Sequence, residues 1–158
     1  MKSKKRTVGD IVEIPLGDET HTYAHVLQEA SFGVYDCRVH EELTMEQVVS
    51  RPVLFFVAVM DYAIKTGRWR IVGHSPLDLL PRRPPTFIQD AMNRDSFSIY
   101  ENGQIRPATR EQCVGLERTA VWDPEHVEER IRDHYAGQKN KWLEALRMDR
   151  GRPETRVN

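Results

Sequence analysis

The feature that most limits what this chain can fold into is an uninterrupted apolar run from Val53 to Met60. A strand buried on both faces is continuously apolar, whereas a half-exposed strand alternates with polar residues. The run is far shorter than the roughly 20 residues of a membrane-spanning helix, and its length favours a strand over a buried helix. We therefore predict a central strand whose sheet is covered on both faces.

Shorter segments before this run alternate between apolar and other residues. Val12, Ile14 and Leu16 follow the period of a strand that buries one face. Two further strands are predicted at 23–27 and 32–39, and polar connections separate the three segments. The N-terminal half therefore predicts a small antiparallel meander.

Local turn and cap chemistry marks one hairpin and one short helix. Asn102-Gly103, between two strand-like runs, is the dipeptide that tight β-hairpin turns prefer. Thr44 with Gln47 three residues later has the pattern of a helix capping box. A hairpin around residue 102 and a one- or two-turn helix after Thr44 are therefore predicted.

The last third of the chain has a helical pattern. Asp123 can cap a helix, Pro124 suits its first position, and Gly137 is placed to end it. Glu128 and Arg132 have the spacing of a surface ion pair. The predicted buried face is formed by Val127, Ile131 and Tyr135.

These elements predict an α+β fold, with a strongly curved antiparallel sheet or a small SH3-like barrel and C-terminal helices. A chain of 158 residues has the usual length of one domain, so a single domain over 1–158 is predicted. The sheet-forming region would cover about 8–122, the helical region about 123–148, and a frayed tail 149–158. The proline-rich segment 80–85 is the predicted linker.

Charge is distributed unevenly along the chain. Residues 10–46 contain nine acids and one base, Arg38, so this stretch carries a net charge of −8 while the whole chain carries −1. Such a stretch is either a solvated surface or a docking face that attracts a basic partner. The residues alone leave both interpretations open.

Cysteine content and the N-terminus bear on where the protein works. Cys37 and Cys113 are the only cysteines, and without a CxxC spacing they predict two reduced, packed thiols. No apolar segment follows the basic residues at the N-terminus. A signal peptide and a membrane anchor are therefore not predicted. A secreted, disulfide-stabilised protein is therefore disfavoured.

The histidines do not assemble into a site for chemistry. On a strand, His21 and His25 would lie about 13 Å apart, too far to bind one metal ion. Cys37 and His40 would be separated by about 10 Å, and no third group is placed to orient a base. We predict no catalytic residues, no metal site and no cofactor.

A nucleic-acid interface would need clustered bases with aromatic residues for stacking. Only the segment with Lys65, Arg68, Trp69 and Arg70 offers both. In the strand predicted at 68–73, alternation turns Trp69 inward and its two neighbours outward, which favours a core tryptophan. A β-barrel module that binds nucleic acid is thus a third, weaker hypothesis, because the acidic stretch would repel phosphate.

Several separated blocks of the chain resemble the immunity protein 26 family of bacterial polymorphic toxin systems. The blocks are Gly9-Asp10-Ile11-Val12-Glu13-Ile14-Pro15-Leu16, 23–27, 53–59 and 67–73, and the resemblance continues at Gln89-Asp90, 106–111 and 120–122. It implies a cytoplasmic protein that binds and neutralises a cognate toxin protein. It supplies no catalytic residues.

If the toxin is a nuclease, its substrate groove is basic and would attract carboxylates. Four acids of the acidic stretch are predicted to contact it as phosphate mimics. They are Asp18, Glu19, Glu41 and Glu42.

The resemblance also leaves an enzymatic alternative open, because the same family name is attached to a small phosphotriesterase. Metal-dependent hydrolysis of this kind needs clustered histidine and carboxylate ligands around an activated water. His74 with Asp78 or Asp90 is the nearest candidate in the sequence.

Overall fold

The structure is a computed structural model that describes residues 5–76 and 82–150. The chain divides into two compact units, one formed by Met1–Arg83 with Ala120–Asn140 and the other by Pro84–Thr119 with Lys141–Asn158. A single immunity-type domain over 1–158 stays a prediction. The tail predicted to fray lies almost entirely outside the described residues, as does the first part of the predicted linker.

The described residues contain nine strands and five helices. The strands are β1 (Asp10–Pro15), β2 (His21–Val26), β3 (Ser31–Tyr35), β4 (Val53–Val59), β5 (Arg70–His74), β6 (Thr86–Gln89), β7 (Phe97–Glu101), β8 (Gln104–Ala108) and β9 (Val121–Trp122). The helices are α1 (Met45–Val49), α2 (Tyr62–Lys65), α3 (Arg110–Cys113), α4 (Pro124–Tyr135) and α5 (Lys141–Ala145).

The first unit contains a sheet in the order β5-β1-β2-β3-β4-β9. β1 to β3 form the predicted antiparallel meander, β4 extends it by pairing with β3, and β9 joins β4 in parallel. The second unit contains the antiparallel sheet β6-β7-β8. The α+β class and the C-terminal helices are confirmed. The described strands of the six-stranded sheet do not close into a barrel. The predicted strong curvature or SH3-like barrel is therefore not confirmed and stays a prediction.

The apolar run forms β4, inside the sheet and between β3 and β9, as predicted. On one face of the sheet, Tyr23 and Tyr35 pack in a cluster with Val48 of α1. The strand register places Phe55 on the opposite face, where the guanidinium of Arg130 in α4 lies 3.8 Å from its ring centre. Both faces are therefore covered, which explains why the run contains no polar residue.

Local signals in the sequence are confirmed where the chemistry acts within a few residues. Asn102 and Gly103 adopt φ angles of 52° and 77° between β7 and β8, as a type I′ turn requires. The Thr44 hydroxyl accepts a bond from the Gln47 backbone, and the Gln47 side chain bonds the Thr44 backbone in return. α4 begins after Asp123, although the Asp123 side chain makes no cap bond.

Two predictions about local structure are wrong. β3 ends at Tyr35, and only a single backbone pair between His21 and Val39 continues the pairing. Glu128 and Arg132 do not form a surface pair, because Glu128 is only 4% exposed. Arg132 instead donates to the carbonyl oxygen of Leu16 at 3.4 Å.

Candidate functional site

The four predicted interface acids lie on two neighbouring segments of the first unit. Residues 17–20 connect β1 to β2, and residues 38–42 precede α1. Reciprocal backbone hydrogen bonds of 2.9 and 3.0 Å between His21 and Val39 hold these segments together. We call residues 17–20 and 38–42 the acidic edge. All four of its predicted interface acids are exposed, namely Asp18, Glu19, Glu41 and Glu42.

Asp18 already has partners inside the acidic edge. Its carboxylate forms an ion pair with Arg38 and accepts hydrogen bonds from the hydroxyl and backbone of Thr20. The Thr20 hydroxyl, together with Arg38, lowers the pKa of Asp18 to about 2. Asp18 therefore stays ionised at any ordinary pH, but Arg38 compensates much of its charge.

Glu42 lies at the other end of the acidic edge, near the edge strand β5. Arg70 Nη2 is 3.6 Å from the Glu42 carboxylate and 3.3 Å from that of Glu13. Two carboxylates thus share one guanidinium, and this group remains net negative. Within the described ranges 5–76 and 82–150, no cation forms an ion pair with Glu19 or Glu41. These two carboxylates are the least compensated charges of the acidic edge.

A buried histidine lies on β2, four residues along the strand from His21 at the acidic edge. His25 is fully buried, and its Nε2 lies 3.1 Å from the Gly9 carbonyl oxygen and 2.8 Å from that of Ser75. Because carbonyls only accept, Nε2 carries the proton and Nδ1 accepts from the Tyr35 hydroxyl at 2.7 Å. His25 is therefore a neutral core residue that ties the start of β1 to the end of β5.

Burial lowers the pKa of His25, while the two carbonyl acceptors act in the opposite direction. The unfolded chain therefore binds this proton at a higher pH than the folded one, and acid favours unfolding. We expect the free energy of unfolding to fall as the pH drops below about 6.5, by at most about 1.4 kcal/mol per pH unit from this group. Urea titrations of the wild type and His25→Gln between pH 5 and pH 8, with exposed His40→Gln as the control, measure the difference. Equal pH slopes in all three proteins would contradict the assignment.

The other histidine and cysteine candidates are also accounted for by structure. His21 Nε2 lies 3.0 Å from the Tyr23 hydroxyl, which also accepts from the Leu43 backbone. Cys37 and Cys113 are both buried and free, as predicted. Over the part of the chain that the structure describes, no three histidine, cysteine or carboxylate side chains cluster as metal ligands would.

The residues of the enzymatic alternative have other neighbours. His74 Nδ1 lies 3.1 Å from the carboxylate of Asp10, and Asp78 lies outside the described residues. The Asp90 carboxylate accepts from the backbones of Met92 and Asn93 at 2.7 and 2.9 Å, which stabilises its own turn. These contacts give both side chains a structural role.

The tryptophan considered for base stacking is unavailable for that role. Trp69 is fully buried and packs edge-on against Phe32 at 5.4 Å between ring centres. The prediction of a core tryptophan is confirmed. The first unit therefore offers no aromatic platform at this position.

A model of the family described as immunity protein 26 matches residues 7–98, which is more than half of the chain. The chain belongs to the immunity protein 26 family. No curated protein and no solved structure shows significant similarity to it. In this immunity protein 26 member, β1 to β6 and the whole acidic edge lie inside the matched region.

Sequence reasoning missed the cations that organise this family member's acidic edge. Arg38 and Arg70 each hold a carboxylate that was predicted to be free for a partner. Arg38 could have been suspected, since it is the only base between residues 10 and 46. Arg70 could not, because its contact with Glu42 depends on the pairing of β5 with β1.

Among the described residues, no helix has the length and apolar character needed to cross a membrane.

Proposed function

We propose that this protein is an immunity protein that binds a cognate bacterial polymorphic toxin in the cytoplasm and neutralises it by protein–protein contact. Membership of the immunity protein 26 family is the observation that carries this proposal. The contacts of His25, His74 and Asp90 support a role without catalysis, since each of these side chains is engaged in holding the fold.

The acidic edge is the surface that we propose for the toxin contact. It combines Glu19 and Glu41, which lack a cationic partner among the described residues, with Asp18 and Glu42, whose cations are exposed and exchangeable. Arg70, for example, has a side chain that is 55% exposed. A basic partner could therefore replace intramolecular ion pairs with intermolecular ones at little net cost.

A toxin that acts on nucleic acid is the partner that best complements this surface. Enzymes that bind a phosphate backbone line the substrate groove with lysine and arginine. Carboxylates at the acidic edge would contact the same cations and block substrate. Long-range attraction would also speed association at low salt.

Charge reversal at Glu41 tests the proposed surface. We expect Glu41→Lys to weaken toxin binding by at least about tenfold and Glu41→Lys with Glu42→Lys by more, with larger losses at low salt. Calorimetry against the toxin encoded beside the immunity gene measures affinity, and rescue of growth measures neutralisation.

Glu111 provides the matched control, because it is an exposed glutamate on α3 of the second unit. Glu111→Lys should bind and protect as the wild type does. If the reversal at Glu41 and Glu42 leaves neutralisation intact at physiological salt, the acidic edge is not the contact surface. If the wild type protects against no neighbouring toxin, the immunity function itself is wrong.

A further inference from the structure

The second unit holds its own C-terminal segment through the main chain of that segment. Gln89, at the end of β6, is only 7% exposed. Its Oε1 accepts from the Asp149 backbone nitrogen at 2.8 Å, and its Nε2 donates to the Asp149 carbonyl oxygen at 3.1 Å. One buried amide therefore binds both main-chain groups of a single residue, as a neighbouring strand would.

Two arginines extend this contact along the same segment. Arg118 donates from Nε to the Leu146 carbonyl at 3.1 Å and from Nη2 to the Arg147 carbonyl at 3.0 Å. Arg110 donates from Nη1 to the Asp149 carbonyl at 3.0 Å. These bonds also reach backbone atoms, so they do not depend on which side chains the segment carries. Arg118 in addition lies 3.9 Å from the Asp149 carboxylate.

Aromatic rings hold the guanidinium groups of Arg110 and Arg118 in place. The guanidinium of Arg118 lies 5.0 Å from the ring centre of Phe87, and that of Arg110 lies 4.8 Å from that of Phe97. The two phenylalanines belong to the hydrophobic cluster of the second unit, and Met148 packs against this cluster. Stacking restricts the planar guanidinium groups before any segment binds.

We propose that Gln89, Arg110, Arg118 and the underlying phenylalanines form a peptide-binding groove that residues 146–149 fill in the free protein. Its partner would be a segment of another polypeptide that leaves a helical turn, as residues 146–147 do, and in which an apolar side chain then precedes an acidic residue, as Met148 precedes Asp149. Main-chain recognition with one side-chain pocket is a common way to bind extended peptides. Met148 packs against the cluster that contains the two phenylalanines, and several other apolar side chains can replace a flexible methionine there.

Part of the hydrogen bonding of the groove does not involve residues 146–149, whereas Arg110 Nη1 and Arg118 Nε must turn to water or to another peptide when the segment leaves. Gln89 Nε2 and Arg110 Nη2 both donate to the Arg94 carbonyl, at 2.8 and 3.0 Å. These bonds remain when residues 146–149 leave. Exchange of the chain's own segment for another peptide is therefore a swap between similar sets of bonds.

A labelled peptide with the sequence of residues 144–150 tests the groove in the full-length protein by fluorescence polarisation. The chain's own segment competes at a high effective concentration, so the wild type should bind the peptide weakly. Met148→Ala weakens the internal competitor, and we expect it to raise peptide affinity by about tenfold. Met92→Ala is the control, because Met92 is 93% exposed in the same unit and should bind as the wild type does.

Further substitutions in the Met148→Ala protein show where the peptide binds. Gln89→Leu removes the amide, and Arg118→Lys keeps the charge but loses the two-pronged donor, so each should abolish the gain. Thermal melts identify any variant that fails to fold. Equal affinities for Met148→Ala and Met92→Ala, binding that survives both Gln89→Leu and Arg118→Lys, or dimers formed by exchanging this segment would each overturn the proposal. The assay contains no toxin, so its failure leaves the proposed immunity function untouched.

Discussion

Glu128→Ala is expected to lower the free energy of unfolding by about 3 kcal/mol, because it removes the acceptor from a buried network. Glu128 is 4% exposed, and its carboxylate accepts from Arg68 Nε and Nη2 at 2.7 and 2.8 Å. It also accepts from the Trp69 indole nitrogen at 3.0 Å. The variant leaves the buried Trp69 N–H without an acceptor, whereas Arg68 can turn towards water. Urea denaturation followed by tryptophan fluorescence measures the loss.

Glu125 on the same helix provides the control. Its carboxylate lies 3.6 Å from the Arg68 guanidinium and accepts from the Tyr62 hydroxyl at 2.5 Å. The Glu125 side chain is 46% exposed, so Glu125→Ala should cost no more than about 1 kcal/mol. Equal losses for the two variants would mean that burial does not set the strength of this network.

The elements that sequence predicted well are those whose chemistry is local. The capping box of Thr44 and Gln47 and the turn at Asn102 and Gly103 need only neighbouring residues to form. The same capping-box pattern at Thr109 and Gln112 starts α3. That helix was not predicted, although the identical signal was present in the sequence.

Elements that depend on partners far away in the sequence could not be predicted from local sequence patterns. β9 has two residues, and it is a strand only because it pairs with β4 more than sixty residues earlier. Glu128 has helical spacing for a surface pair, but its partners Arg68 and Trp69 lie on another part of the chain. Periodicity reports which face a residue occupies, and it cannot report what lies opposite.

The candidate site shows the same division. The uneven charge of residues 10–46 pointed to the acidic stretch that contains the acidic edge. The four predicted interface acids are exposed in the structure. Sequence could not show that the backbone pair of His21 and Val39 joins the two segments. Nor could it show that Gln89 binds Asp149, because a single buried amide sixty residues from its partner leaves no pattern in the sequence.

Gly9→Ala is the second substitution with a large expected effect, at about 3 kcal/mol in the free energy of unfolding. Gly9 adopts a φ angle of 96°, and an added Cβ would lie 2.5 Å from His74 Cε1 and 3.2 Å from the Ser75 carbonyl oxygen. The Gly9 carbonyl also accepts from the Ser75 backbone at 2.9 Å. A side chain here would strain the backbone, displace the exposed His74 ring and press on the Ser75 carbonyl at the end of β5.

Gly17→Ala separates backbone strain from the steric clash. Gly17 has a φ angle of 83°, but an added Cβ would meet nothing within 4 Å. This control should therefore lose only about 1 kcal/mol, from the conformational term alone. The difference between the two variants, measured by urea denaturation, reports the contact of Gly9 with His74 and Ser75. If both variants lose the same free energy, the close approach of β5 to Gly9 contributes nothing, and only the backbone conformation requires glycine there.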